Sequence, residues 1–326
     1  MDRNLILHIG YHRTGTKTLQ RIVFPQLKRV AYFCRHSRQK SATAASRQIT
    51  RSFRFSPEIW RRRGEEFFRE LRADMAERGF DGAALVSAES MSEPFIFHAN
   101  RGLKIRDPFL LAAHLHECGE AARKTGFERL KVIMGIRRQD QYLASHYAKT
   151  AHGIQGSGQD DFENQTLEII DPNKRFFIDG IWLDYQAVRG LIAGAVGEER
   201  ILILPIEQLE FEPAIYLTGL SLFVGEPLNE DSQKVIRTNA RSIARDAWQM
   251  NLGQDAKRNP FLKLRQKLAG TAEIRLTTEL KERILATYRN SNERLASDVK
   301  LDLERYGYCG TRHDQRLRCV PQLQDQ

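Results

Sequence analysis

The stretch LILHIGYHRTGTKTLQ, residues 5–20, decides how the rest of the chain is read. It begins as a compact apolar run ending at Gly10, the pattern of a strand buried on both faces. Gly10 and Gly15 then frame a turn that carries His12, Arg13 and Thr14, and Thr16, Lys17 and Thr18 follow directly. A helix-like segment comes next. Strand, glycine-framed turn and helix in that order make an anion cradle, because N–H groups of a first helical turn have no acceptor within the helix and the helix dipole adds positive charge there. Glycine lets the backbone wrap closely, and threonine hydroxyls add donors. The candidate anion-binding residues are therefore His12, Arg13, Thr14, Gly15, Thr16, Lys17 and Thr18.

The pattern repeats outward from this point. The segments 82–88 (GAALVSA), 130–136 (LKVIMGI) and 200–206 (RILILPI) read as further buried strands beside 4–10. Between them, 56–79, 108–126 and 182–197 carry apolar residues at three-to-four spacing with glycine near their ends, which predicts helices. Strand and helix in alternation predict a doubly wound α/β fold with a mainly parallel sheet flanked by helices. Amphipathic helices are expected over 212–225 and 277–299, with a polar, punctuated loop region over 226–275. No repeat or clear linker cuts the chain, so one domain over 1–310 with a basic tail over 311–326 is expected.

The 326 residues are 41 % apolar and 28 % charged, a globular balance, and 51 Lys and Arg against 41 Asp and Glu give a net charge of +10. Such a surface favours anionic partners without choosing among them. None of the four cysteines (Cys34, Cys118, Cys309, Cys319) lies in a Cys-x-x-Cys pair, which argues against a structural zinc site. Cys309 and Cys319 are close enough in sequence to bridge a tail loop. No leader and no membrane-spanning apolar run is read, so a cytoplasmic protein is expected, with peripheral membrane contact open. No zinc finger, RNA-stacking motif or basic zipper is present, and no nucleic-acid partner is expected.

The nucleotide-hydrolysing pattern GxxxxGK[ST] fails here by one residue before Lys17, and neither VSAES (86–90) nor MGIRRQD (134–140) sets an Asp directly at a strand tip for magnesium. HIGYHRTGTKTLQ (8–20) instead resembles the phosphosulfate-binding loop of the sulfotransferases, commonly HIGxxKTGTTxLQ in bacterial members. The second family signature, a strand followed by Arg with Ser eight residues later, is matched by Arg137 and Ser145 in VIMGIRRQDQYLASHY (132–147). From the residues alone, Arg at a strand tip offers a planar fork to a dianion. Residues 182–209 and 289–308 are similar to the family's helix-then-strand segment and its C-terminal helix. The likeness covers most of 4–308 and is weakest over 25–75 and 226–275.

The resemblance implies a P-loop-like sulfotransferase architecture and a reaction. The donor would be 3'-phosphoadenosine 5'-phosphosulfate (PAPS), the product adenosine 3',5'-bisphosphate, and the acceptor a hydroxyl or amine of a glycan or glycolipid, with no metal. It places the 5'-phosphosulfate in the loop and the 3'-phosphate on Arg137 and Ser145, with Arg237 or Arg241 of VIRTNARSIA (235–244) as a further contact. Arg13 stands where the family has lysine beside the leaving oxygen. It stabilises charge there but is a poor proton donor, with a pKa above about 12. Glu89, after the strand ending in VSA, resembles the bacterial LSSE form and is the candidate general base. His98, His114, His116 and His146 are its rivals, His114 and His116 reading better as packing or surface residues. Two other readings stand beside this one: a non-catalytic PAPS- or nucleotide-binding protein of the same fold, kept open by Arg13, and an ATP-using P-loop kinase.

Overall fold

A computed structural model of the chain describes residues 2–34, 42–92, 96–97, 107–154, 156–174, 176–228, 246–251 and 273–310. Two compact units are present: Met1–Arg137 with Val188–Ile243, and Arg138–Ala187 with Ala244–Gln326.

The first unit is built on five strands, β1 (Asn4–His8), β2 (Ala31–Cys34), β3 (Ala84–Ser87), β4 (Arg129–Ile136) and β5 (Ile201–Pro205). Their order is β2-β3-β1-β4-β5 and every pairing is parallel. This is the α/β class expected from the alternation of strand and helix. Successive residues of a strand face opposite sides of a sheet, and both sides here are apolar and buried. Ile6, Leu85 and Ile133 pack with Leu19, Val23 and Phe24, with Leu209 of α9 (Ile206–Phe211), and with Leu217 and Leu220 of α10 (Pro213–Val224). Leu5, Leu7, Val86, Val132 and Met134 point the other way and are equally buried. On that topology the chain leaves β1 towards β2 and leaves β4 towards β5, so a crevice opens between the carboxyl ends of β1 and β4, where open α/β sheets bind ligands.

Three helices of this unit are α2 (Ala44–Ser52), α3 (Glu58–Glu77) and α4 (Pro108–Arg123). A reciprocal capping box between Thr43 and Ser46 starts α2. Asp107 accepts from the Leu110 N–H to start α4, with Pro108 at its first position. The helix α3 expected over 56–79 and the helix α4 expected over 108–126 are both found, each a few residues shorter. Between them Trp60 Nε1 donates to His114 Nδ1 at 2.9 Å, and the other ring nitrogen of His114 bonds to the Phe55 carbonyl at 3.0 Å. His114 is thus a core residue with both nitrogens engaged.

The second unit contains α5 (Gln139–Thr150), α6 (Gln159–Ile170), α7 (Phe177–Gly180), the start of α8 (Tyr185–Val196), an antiparallel pair β6 (Ala247–Gln249) and β7 (Glu273–Arg275), and α11 (Thr278–Val299). A buried amide relay holds it together. Gln139 Nε2 donates to the Leu183 carbonyl and to Asn292 Oδ1, and Asn292 Nδ2 donates to the Tyr308 carbonyl. The β6–β7 pair lies inside the stretch expected to be loop. At three residues a strand carries no readable period.

A Cβ placed on Gly64 would lie 2.5 Å from the Ala121 Cβ, so α3 and α4 approach too closely there for any side chain. Gly64→Val is expected to destabilise the fold by about 1–3 kcal/mol through overpacking, read as a lower urea midpoint. An unchanged midpoint would mean that the two helices are not seated on one another as described.

Candidate functional site

The loop after β1 has an unusual backbone. Arg13 adopts φ +69° and Gly15 φ +78°, two left-handed residues flanking Thr14. Left-handed geometry costs a non-glycine residue about 1 kcal/mol or more, and at Arg13 it is held from several sides. The Tyr11 N–H donates to the Gly135 carbonyl at 3.3 Å and Thr14 Oγ1 donates to the Tyr11 carbonyl at 2.5 Å. Arg137 Nη1 donates to the carbonyl of Arg13 itself at 3.4 Å. Backbones of this type turn N–H groups into a concavity suited to anions.

Glycine permits the loop to sit where it does. A Cβ on Gly10 would lie 2.9 Å from the Gly135 nitrogen, and one on Gly135 would lie 2.8 Å from Thr14 Oγ1. The loop therefore rests directly on the backbone of β4. Glycine inside a strand run is the sequence signal for such an approach, and Gly135 carries it.

After Gly15 the chain turns helical, as α1 (Thr16–Thr18), a π-turn (Leu19–Val23) and a short 3-10 turn (Phe24–Gln26). No side chain caps the start of this helix. Thr16 Oγ1 is buried and has no hydrogen-bond partner among the described residues. A buried hydroxyl without a partner costs about 1–3 kcal/mol, which makes it a donor waiting for an acceptor. Arg13 and Lys17 are exposed, Thr18 is half-buried, and Thr14 is buried against the strand.

Glu89 opens a 3-10 turn just past the end of β3, the neighbour of β1. Its carboxylate Oε1 lies 3.4 Å from His12 Nδ1, and both side chains are mostly covered. Two candidates from distant segments are thus joined at one rim. Beneath them lies a network that sequence reasoning did not single out. His8 Nδ1 and Ser87 Oγ share a hydrogen bond of 2.7 Å, and Gln20 Nε2 donates to the same Ser87 Oγ at 3.0 Å. Polar residues ending two adjacent buried strands were the available signal.

Arg137, at the tip of β4, is nearly buried and reaches the loop through the bond already given. Its neighbour Arg138 forms a buried two-pronged ion pair with Asp140, at 2.7 and 2.9 Å, and so serves structure. Ser145 is buried on α5 in the second unit, where His146 stacks on Tyr142 with ring centroids 5.5 Å apart. His116 is exposed. Arg237, Arg241, His98 and Cys319 lie outside the described residues. Among the described residues no cluster of His, Cys, Asp or Glu is arranged to hold a metal, and no helix is long and apolar enough to cross a membrane.

Fold and site together define a parallel α/β protein with an uncapped, glycine-framed loop at the reversal point of its sheet. No protein-family model and no curated protein matches the sequence. Among solved structures, the chain is similar to a sulfotransferase from Alicyclobacillus acidocaldarius, at 12 % identity and a TM-score of 0.47, over 94 % of this chain and 99 % of that one. It is similar also to the sulfotransferase domain of the Synechococcus PCC 7002 olefin synthase, at 13 % identity and a TM-score of 0.39, over 89 % of this chain and 94 % of that one.

Burial pushes the His8 imidazole down from 6.5 to about 4, against the opposing pull of Glu89. Burial also pushes His114 down to about 4, against its bond to Phe55. Between these values the unfolded chain binds protons that the folded chain refuses. Stability is therefore expected to fall as pH drops from 6.5 towards 4 and to be flat above that window. Urea midpoints at about pH 7.5 and about pH 4.5 measure it, and equal midpoints would place both rings in contact with water.

Proposed function

We propose that this protein is a sulfotransferase that moves a sulfuryl group from PAPS to a hydroxyl or amine, most naturally of a glycan or glycolipid. The observation that carries the reading is the buried, partnerless Thr16 hydroxyl at an uncapped helix start, in a loop braced by Arg137. That donor set fits a terminal phosphosulfate, whose oxygens accept hydrogen bonds and carry negative charge. The Arg137 fork supports assignment of a second phosphate near the same crevice. Resemblance alone assigns Ser145 and Arg237 to the donor's 3'-phosphate.

When bound, PAPS supplies an activated sulfuryl group on a nucleotide phosphate that leaves as adenosine 3',5'-bisphosphate. The protein's part is positioning and charge. The Thr16 hydroxyl and the first-turn N–H groups hold the anion in line for attack. Arg13, exposed at the crest of the loop, neutralises charge developing on the leaving oxygen without giving up a proton. Glu89 takes the proton of the acceptor oxygen, and His12 Nδ1, 3.4 Å from its carboxylate, holds that side chain in place.

Labelled PAPS offered with glycan, lipid and phenol acceptors tests this reading. Transfer to at least one acceptor is expected, falling by about a hundredfold in Glu89→Gln through kcat and by a similar factor in Arg13→Ala. Arg13→Lys is expected to retain turnover. Binding of adenosine 3',5'-bisphosphate without transfer in the wild type, and a large gain in Arg13→Lys, would favour the non-catalytic reading. Magnesium-dependent ATP turnover would favour the kinase. Neither transfer nor nucleotide binding would end the proposal.

A further inference from the structure

Glu89 stands on a short piece of backbone whose two ends are both fastened to the β1 side of the crevice. The 3-10 turn Glu89–Met91 follows β3 after a single residue, Ala88. So short a turn gains little stiffness from its own hydrogen bonds, and its anchors set its place. At its start the Ala88 N–H donates to the His8 carbonyl at 3.1 Å. At its finish the buried Ser92 hydroxyl donates to the carbonyl of Ile9. The turn therefore rests on His8 and Ile9, the residues that lead into the loop at Gly10.

A further fastening lies at Ser87, the fully buried last residue of β3. The nitrogen of a glutamine amide can only donate, so Ser87 Oγ accepts from Gln20 Nε2 at 3.0 Å while also bonding to His8 Nδ1 at 2.7 Å. Gln20 belongs to the π-turn that continues the helical segment begun at Thr16, and the Tyr32 hydroxyl donates to its carbonyl at 3.0 Å. The His8 ring packs edge-on against Phe24, with centroids 5.2 Å apart. One hydroxyl thus joins the strand that enters the loop, the helical turn that leaves it and the strand that carries Glu89. Removing a hydroxyl from a buried junction leaves its partners unsatisfied, so the junction is rigid. Neither serine is exposed, so neither can touch a substrate, and each acts only through what it holds.

We propose that Ser87 and Ser92 are positioning residues for Glu89, fixing its turn against the loop so that base and donor share one frame. The consequence for turnover rests on the sulfotransferase reading, and the placement of Glu89 rests on the geometry alone. Ser87→Ala and Ser92→Ala test it, each beside Glu89→Gln. The nitrogen resonances of the His12 imidazole report the carboxylate that lies 3.4 Å from Nδ1, without any turnover. Each serine variant is expected to move them most of the way to their positions in Glu89→Gln. With labelled PAPS and an acceptor, each is expected to lower kcat about tenfold, because a displaced base loses rate steeply. Made in the Glu89→Gln protein, the same changes are expected to cost less than about twofold, since a residue that acts through Glu89 then has nothing left to act on. His12 resonances that keep their wild-type positions in both serine variants would overturn the proposal. So would losses in kcat that simply multiply in the double variants, which would assign the serines to the fold. Absence of transfer by the wild type would sink the sulfotransferase reading alone, with the His12 resonances still deciding what holds the turn.

Discussion

The site depends on one steric fact: the backbone after β1 lies directly on the backbone of β4, with no side chain between them. Gly10 and Gly135 make that possible, each at a distance from its neighbour that a methyl group would violate. The Ile9–Ile133 and Tyr11–Gly135 hydrogen bonds then continue the pairing of the two strands past the end of β1. Held this way, the chain must turn sharply to reach the helix that follows. It does so through left-handed residues at Arg13 and Gly15. The shape of the loop is thus a consequence of where two glycines allow it to rest.

That placement also explains the electrostatics. The layer beneath the loop is neutral, since burial keeps His8 uncharged and its ring is tied to Ser87. Charge is carried above and beside it, by Arg13 and Lys17 in solvent, by Arg137 against the loop, and by the His12–Glu89 pair at the rim. A neutral floor and a cationic edge suit an anion that enters from solvent at the carboxyl ends of the strands, where the reversal of strand order leaves room for it.

Much of this was legible in the amino-acid order because the relevant signals are local. Four strands are compact runs of branched residues, the loop is a strand–turn–helix unit within about twenty positions, and Arg137 stands at a strand tip. What escaped depends on distant contacts or on very short elements. Ala31–Cys34 is only four residues, at the edge of the sheet, and becomes a strand by pairing with β3. The π-turn over Leu19–Val23 is a five-residue departure within a segment whose sequence reads simply as helix. The meeting of His12 with Glu89 and that of His8 with Ser87 each join residues nearly eighty positions apart, which no spacing rule reports. Arg138 beside Arg137 looked equivalent in sequence, yet a buried carboxylate two residues on, at Asp140, claims it.

The most direct test of the account removes a single oxygen atom. Thr16→Val keeps the shape of the side chain and deletes the buried hydroxyl that has no partner. Thermal unfolding should be measured with and without adenosine 3',5'-bisphosphate, alongside a titration of that nucleotide. If the hydroxyl is reserved for a ligand, the unliganded variant melts at or above the wild-type temperature while its affinity for the nucleotide falls about tenfold. A variant that melts lower yet binds equally well would contradict this, because the hydroxyl would then be serving the fold and the loop would not be the anion cradle described.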